Sequence, residues 1–230
     1  MKIAILGVGS IGGIILGSLA DSEAELVCVS RGVSHEFLES GLTLFTPQGS
    51  MEMIPGERYS LFDSENGTLP KEVLGSCEVA IICSKAESTA FLASMAEDLI
   101  AENGIAVSIQ NGLGHAEIIS SRVGKIRVVG GSTTHSAWRD NDGSVHWTGR
   151  GKIELGRFDG GEPGEVTERF ISILEESGLS PRWSYNIEGE IWRKLLINVA
   201  INPVCAIAGV RNGALTEIPE LWEQAVEIMR

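Results

Sequence analysis

Two alternating patterns of apolar residues run through most of the chain. Short continuous apolar runs such as Lys2–Leu6 and Glu78–Ser84 are typical of strands covered on both faces, whereas Ser10–Ala20 carries isoleucine and leucine at helical spacing. Because strand and helix alternate, the sheet should be mostly parallel. The same patterns predict strands at Glu25–Ser30 and Ile105–Ile109, helices at Glu87–Ala101 and Gly114–Arg122, a hairpin joining Thr43–Phe45 to Met51–Ile54, and a loop over Gly56–Gly75.

The pattern changes after Lys125. Short β-like runs follow one another with turn residues between them, and we expect them to form antiparallel strands added to the sheet, at Arg127–Gly130, Thr133–Trp138, Ser144–Thr148 and Lys152–Leu155. A helix over Val166–Ser177 and a short strand at Arg182–Ser184 come next, and only helical patterns follow Asn186. The sequence therefore predicts an α/β fold of the Rossmann type over residues 1–184 and an all-helical domain beginning at residues 185–230.

Composition narrows the function classes. The 230 residues are 43% hydrophobic, so the chain can bury a core, and the net charge of −13 would repel a nucleic-acid backbone or an anionic membrane. The four cysteines have no C-x-x-C spacing, which argues against a zinc site and against a disulfide framework. No run reaches 18 uninterrupted apolar residues. We expect a soluble, cytoplasmic protein that binds neither nucleic acid nor membrane.

The first chemical motif is a G-x-G-x-x-G string that follows a strand and opens a helix. Gly7, Gly9 and Gly12 are its glycines, with Ser10 and Ile11 between the last two. Glycine lets the backbone turn tightly and approach a diphosphate, whose charge then lies at the positive end of the helix dipole. In this strand–turn–helix context we favour dinucleotide binding over a simple glycine turn.

The end of the second predicted strand indicates which dinucleotide is bound. An NAD site usually has Asp or Glu there, whereas this chain has Ser30 followed by Arg31. Arg31 can bind a 2′-phosphate through two charge-assisted hydrogen bonds, with Ser30 as a further donor, so NADP (NADPH) fits better. The alternative is that Arg31 is a solvated loop arginine.

Two more polar side chains follow strand ends, on the edge where open α/β sheets bind ligands. Lys85 follows the strand at Glu78–Ser84 and could face a phosphate, a ribose or an anionic substrate, or it could simply begin a helix in solvent. Asn111 follows the strand at Ile105–Ile109 and could contact the nicotinamide ribose or only form the turn with Gly112.

A polar stripe crosses an apolar helix in the last third of the chain. Glu190, Lys194, Asn198 and Asn202 recur every four residues and would share one helix face. Buried lysine and asparagine need partners, so a ligand or a water-filled cleft explains the stripe. The alternative is an ordinary solvated face, in which Glu190 and Lys194 form an i,i+4 pair. Pro203 should kink or end this helix.

Taken together, these motifs resemble those of the ketopantoate reductase (2-dehydropantoate 2-reductase) family. The resemblance extends over nearly the whole chain and is carried by the N-terminal MKIAILGVGSIG, Arg31, CSKA around Lys85, QNGLG around Asn111, Thr133-Thr134-His135 and, most specifically, WRKLLINVAINP. It implies NADPH-dependent reduction of ketopantoate, a 2-keto acid, to pantoate in pantothenate and coenzyme A biosynthesis.

The resemblance also implies roles for individual residues. Lys194 matches the catalytic lysine, and Asn198 and Asn202 match the substrate-binding asparagines. Lys85 and Asn111 match cleft residues near cofactor and substrate, and Arg31 matches the contact to the 2′-phosphate. An ammonium beside the keto oxygen could stabilise the developing charge and supply the proton, which agrees with this role for Lys194.

One departure from the family and two alternatives remain. The family continues through further helices that carry a serine and a glutamate of the substrate site, so we expect residues 185–230 to be an incomplete helical domain that could pair with a second copy as a homodimer. No metal is needed, and the four histidines, which show no ligand spacing, are expected to be surface or packing residues. The alternatives are an NADP-dependent dehydrogenase of another 2-keto or 3-hydroxy acid, and a non-catalytic NADP-binding module.

Overall fold

A computed structural model describes residues 1–65 and 67–229. The chain divides into two compact units, Met1–Ile187 and Glu188–Arg230. The first unit is a mixed α/β structure and the second is helical. We describe each unit separately.

An eight-stranded sheet forms the centre of the first unit. Its strands are β1 (Lys2–Leu6), β2 (Glu25–Ser30), β5 (Tyr59–Asp63), β6 (Cys77–Ile82), β7 (Ile100–Ser108), β8 (Val128–Thr133), β11 (Ile153–Gly156) and β12 (Pro181–Trp183), in the order β12-β11-β8-β7-β6-β1-β2-β5. All neighbouring pairs are parallel except β8 with β11. This arrangement confirms the predicted α/β class with a mostly parallel sheet.

Helices cover both faces of this sheet, which is why its central strands are continuously apolar. The helices are α1 (Ser10–Leu19), α2 (Val33–Glu39), α3 (Thr89–Leu99), α4 (His115–Val123) and α5 (Glu165–Glu176). Alternate residues of β1 enter two different cores: Ile3 and Ile5 pack with residues of α1 and α5, whereas Ala4 and Leu6 pack with residues of α3 and α4. The sheet is therefore doubly wound, as in the Rossmann fold.

A second, four-stranded sheet lies against α1. It contains β3 (Leu42–Phe45), β4 (Met51–Ile54), β9 (Ser136–Arg139) and β10 (Val145–Gly149), in the order β4-β3-β10-β9. Glycine permits the close approach: a Cβ at Gly13 would lie 2.8 Å from Val145 Cγ2, and one at Gly17 would lie 2.5 Å from Leu44 Cδ2. Of the predicted antiparallel strands, only β11 joins the main sheet in that orientation, β8 joins it parallel to β7, and β9 and β10 belong to the second sheet.

Two elements of the first unit differ from the sequence-based expectation. The stretch predicted as a loop over Gly56–Gly75 contains β5, which pairs with β2 at the edge of the sheet. Tyr59 is the only buried residue of this strand, so no continuous apolar run marks it. The Tyr59 hydroxyl donates a hydrogen bond to Leu38 O at 2.6 Å. The short helix α2, which the patterns did not predict, follows β2 and carries a single buried residue, Leu38.

The second unit contains α6 (Ile187–Ala208), a 3-10 turn at Asn212–Thr216 and α7 (Pro219–Ile228). Val204, Cys205, Leu215 and Ala225 form its small core. Pro203 lies inside α6, which continues to Ala208, so of the two expected effects, a kink or an end of the helix, the second does not occur. Among the described helices, α6 alone is long and apolar enough to span a membrane by length and composition, a test that helices of soluble proteins also pass.

Candidate active site

A cavity of about 900 Å³ opens at the carboxyl ends of the parallel strands in the first unit. It lies at the point where the order of the strands in the sheet reverses, because β1 has β2 on one side and β6 on the other. Most of the predicted cofactor residues line it: Gly7, Gly9, Ser10, Ile11, Ser30, Arg31, Lys85 and Asn111. Gly12 is buried in the first turn of α1, directly behind them.

The glycine loop has the geometry that a diphosphate requires. Gly7 has a φ of +90°, and a Cβ there would lie 2.8 Å from Ser84 Cβ. A Cβ at Gly12 would lie 2.5 Å from Gly7 O, so both glycines are needed to build the loop itself. Gly9 is different, because it lines the cavity and a Cβ there would meet no protein atom within 4 Å. The chain therefore leaves room beside the start of α1, and this cradle fits a dinucleotide diphosphate.

Arg31 lies at the end of β2, where an adenosine ribose binds in doubly wound folds. Its Nη2 donates a hydrogen bond to Ser88 Oγ at 3.0 Å, and its Nη1 lies 3.6 Å from Glu65 Oε1. Both charged side chains are about half exposed, so the pair is weak and the guanidinium can exchange one anionic partner for another. Ser30 is buried next to it, with Oγ 3.3 Å from His35 Nδ1.

Lys85 and Asn111 are exposed residues of the cavity lining and follow β6 and β7. Sequence reasoning missed the buried residue that joins these two strand ends, Gln110. Its Nε2 donates to Ser84 O at 3.0 Å and to Thr89 Oγ1 at 2.9 Å. Gln110 is the first residue of QNGLG, a stretch in which only Asn111 had a predicted role.

Two buried histidines stabilise the loops around the cavity. His115 has Nδ1 3.1 Å from Thr89 Oγ1 and Nε2 3.0 Å from Asn111 O. His135 accepts a hydrogen bond from the Gly151 amide at Nδ1, so its Nε2 donates to Leu179 O at 3.2 Å. Burial lowers the pKa of His135, which keeps the ring neutral. Both contacts agree with the packing role expected for histidine. Among the residues that the structure describes, no cluster of His, Cys, Asp or Glu could hold a metal ion.

The polar stripe predicted in the last third of the chain lies on α6 in the second unit. Lys194 and Asn198 are half-buried and Asn202 is exposed. Glu190 accepts a hydrogen bond from Arg193 Nη1 at 2.6 Å, so its geometry gives an i,i+3 pair with Arg193. Burial lowers the pKa of the Lys194 ammonium below its ordinary value.

A doubly wound sheet with a glycine loop opening on a cleft defines a Rossmann-type dinucleotide-binding protein. Residues 3–160 match the family described as Ketopantoate reductase PanE/ApbA, and residues 186–230 match its C-terminal family. The chain belongs to the ketopantoate reductase family.

Individual proteins agree with this assignment. The 2-dehydropantoate 2-reductase of Pyrococcus horikoshii is 32% identical over 237 residues, an alignment that covers 100% of this chain and 71% of that protein. The 2-dehydropantoate 2-reductase structure from Geobacter metallireducens has a TM-score of 0.83 at 23% identity and covers 100% of this chain and 73% of its own. The structure of a D-mandelate dehydrogenase with NADH and anilino(oxo)acetate also has a TM-score of 0.83, at 24% identity. The match covers 98% of this chain and 70% of the dehydrogenase chain. The two structures share the fold.

Proposed function

We propose that this protein reduces 2-dehydropantoate (ketopantoate) to pantoate with NADPH, a step of pantothenate and coenzyme A biosynthesis. The observation that carries the proposal is the cavity of this family member, which combines the glycine loop, open beside Gly9, with Arg31 at the end of β2. The first unit is the cofactor domain in this proposal, and α6 with the residues that follow belongs to a helical substrate domain. A cytoplasmic location fits such an enzyme.

The cofactor is a nicotinamide dinucleotide, and in this proposal each of its parts binds to a different group of cavity residues. The glycine loop and the first amides of α1 bind the diphosphate, while Ser30 and Arg31 bind the 2′-phosphate of NADP. Lys85 and Asn111 lie at the neighbouring strand ends and bind the part of the cofactor next to the substrate.

The chemistry requires a hydride donor, which the bound cofactor supplies, and a proton donor, which the protein supplies. Lys194 holds the proton on Nζ and stabilises the charge that develops on the keto oxygen. Its lowered pKa makes the ammonium a better acid than a solvated lysine. Asn198 and Asn202, one and two turns further along α6, donate hydrogen bonds to the substrate carboxylate.

Replacing Arg31 with aspartate should reverse the preference for NADPH over NADH. The unaltered protein should bind NADPH more tightly, because a charge-assisted contact to phosphate contributes about 1.5–3 kcal/mol. In the variant, a carboxylate repels the phosphate and accepts hydrogen bonds from the free ribose hydroxyls of NADH. Fluorescence titration with both cofactors measures the ratio. Equal affinities in the unaltered protein would show that Arg31 does not contact the phosphate.

A second candidate is an NADP-dependent dehydrogenase that reduces a different 2-keto acid or oxidises a 3-hydroxy acid, which the shared fold of the D-mandelate dehydrogenase favours. A third is NADP binding without catalysis. Turnover of a panel of keto acids with NADPH distinguishes the three candidate functions. If the first is correct, ketopantoate should give the highest kcat/KM. Another preferred acid would support the second candidate, and NADPH binding with no turnover of any acid would support the third.

The helical unit has an apolar surface that fits a second copy of this chain. Leu196 and Val199 on α6 are exposed, and Ile207 is 88% exposed. Apolar area of this kind favours association, so we expect a homodimer through this region. The net charge of −13 would repel a nucleic-acid backbone or an anionic membrane, so we expect binding to neither.

Light scattering tests this expectation. Leu196→Glu should convert the dimer to monomer, whereas Ile126→Glu, at an isoleucine of the first unit that is 74% exposed, should not. A monomeric parent protein would contradict the proposed homodimer.

A further inference from the structure

Arg139, at the end of β9, lines the same cavity as Arg31. Its Nη1 donates a hydrogen bond to Ser34 Oγ at 2.7 Å, and its guanidinium carbon lies 5.9 Å from the centre of the Phe37 ring. Both partners belong to α2, the short helix that follows Arg31 directly in the chain. The second sheet therefore places another cation beside the residues that follow β2.

The remaining nitrogens of Arg139 are unusual for a buried cation. Nε and Nη2 are buried and donate no hydrogen bond to any described residue, and no carboxylate of that part of the chain lies within 4.0 Å. Burial lowers the pKa of Arg139. A partly buried charge with unsatisfied donors is costly, so an anion that accepts hydrogen bonds from these nitrogens would stabilise the arrangement.

Other arginines of the first unit show how this chain satisfies arginines that have a structural role. Arg58 donates to Ala20 O through both Nε and Nη2, and Arg127 donates to Gly104 O and Ala101 O. Arg157 forms a bidentate salt bridge with Asp159. Arg139 has one hydrogen bond, to a hydroxyl group, so its guanidinium can turn toward the cavity with little loss.

The cavity end that Arg139 shares with Arg31 is rich in hydroxyl donors. Ser30, Ser34 and Ser64 line it together with the two arginines. In a chain of net charge −13, two guanidinium groups without a close, buried carboxylate form a local site for an anion.

We propose that Arg139 binds the 2′-phosphate of the dinucleotide together with Arg31 and so helps to determine the cofactor specificity. The inference rests on the proposed function, since it assumes that the cavity binds a nicotinamide dinucleotide. Ser34 and Phe37 act as positioning residues that hold Arg139 at the cavity wall until the phosphate binds.

The test compares ligands that differ only in the 2′-phosphate. NADPH and NADH form one pair, and adenosine 2′,5′-bisphosphate and 5′-AMP form a second pair that lacks the nicotinamide. Arg139→Met should weaken NADPH and the bisphosphate about tenfold to a hundredfold, the range for a charge-assisted hydrogen bond, and leave NADH and 5′-AMP nearly unchanged. Arg139→Lys keeps the positive charge but not the planar pair of donors, so its affinity for NADPH and the bisphosphate should fall less.

Arg122→Met is the matched control, because it removes an arginine outside the cavity that is about half exposed. It should leave all four affinities unchanged. Thermal unfolding without ligand provides a second readout: Arg139→Met should be as stable as the parent protein or more so, since it removes an uncompensated charge and keeps an apolar stem on Phe37.

The outcomes separate this inference from the proposed function. Equal losses for NADPH and NADH would place Arg139 at the diphosphate and overturn the inference, as would an unchanged NADPH affinity in a folded Arg139→Met protein. A marked drop in the unfolding midpoint with an unchanged ratio of affinities would make Arg139 a structural residue. Failure of the parent protein to bind any of the four ligands would instead reject the dinucleotide site.

Discussion

Replacing Lys194 with alanine is expected to lower turnover at least about a hundredfold, the usual contribution of a general acid, and to leave NADPH affinity nearly unchanged. The loss falls on the chemical step because the ammonium acts on the oxygen of the keto group. Steady-state kinetics with ketopantoate, together with fluorescence titration of NADPH, measures both quantities.

The pH dependence gives this prediction a second readout. The protonated form of Lys194 is the active one, so turnover should fall as the pH rises through its pKa, which burial lowers from the ordinary lysine value. The residual activity of Lys194→Ala should lack that alkaline decline. Arg193→Ala is the control, since Arg193 is exposed and pairs with Glu190. Normal turnover in Lys194→Ala would place Lys194 on a solvated helix face.

Replacing Gly9 with alanine should abolish most cofactor binding and hardly change the stability of the protein. The free-energy change of unfolding should move by less than about 1 kcal/mol, since the new methyl group meets no atom within 4 Å. NADPH affinity should fall more than about a hundredfold, because the methyl group keeps the diphosphate from the start of α1 and forfeits at least two charge-assisted hydrogen bonds.

Gly164→Ala provides a matched control for this prediction. Gly164 also precedes a helix, α5, and a Cβ there would likewise meet nothing within 4 Å, but the residue does not line the cavity. Gly12→Ala provides the contrasting case, since its Cβ would lie 2.5 Å from Gly7 O and should destabilise the protein by about 1–3 kcal/mol. Unchanged NADPH binding in Gly9→Ala would mean that the diphosphate does not approach this loop.

The sequence predicted those parts of the fold whose signal is local. The strand at Lys2–Leu6 contributes residues to both cores and is therefore continuously apolar. The helix after it packs into one of these cores with isoleucine and leucine at helical spacing. The strand at Tyr59–Asp63 lies at the edge of the sheet with one buried residue, and its pattern therefore resembles a loop. The hairpin of β3 and β4 in the second sheet was predicted from its local pattern. The pairing of β3 with β10 could not be predicted, because it joins residues about a hundred positions apart.

The same distinction applies to the candidate site. The glycine loop and Arg31 follow a motif along the chain, and the structure places both in one cavity. Gln110 begins QNGLG but had no predicted role, and Arg139 lies in no motif. Both residues reach the cavity through contacts made only in the folded protein, with Ser84 and Ser34. Sequence reasoning finds residues that a short motif identifies, and it misses residues whose position at the site depends on tertiary contacts.

Hydride transfer to ketopantoate is the central claim, and isotope labelling tests it most directly. NADPH that carries deuterium at the transferring position of its ring is mixed with the protein and ketopantoate, and the product is analysed by mass spectrometry. The account predicts pantoate with one deuterium on carbon 2, formed in equal amount to the NADPH consumed. Binding of NADPH with no labelled pantoate formed would contradict it.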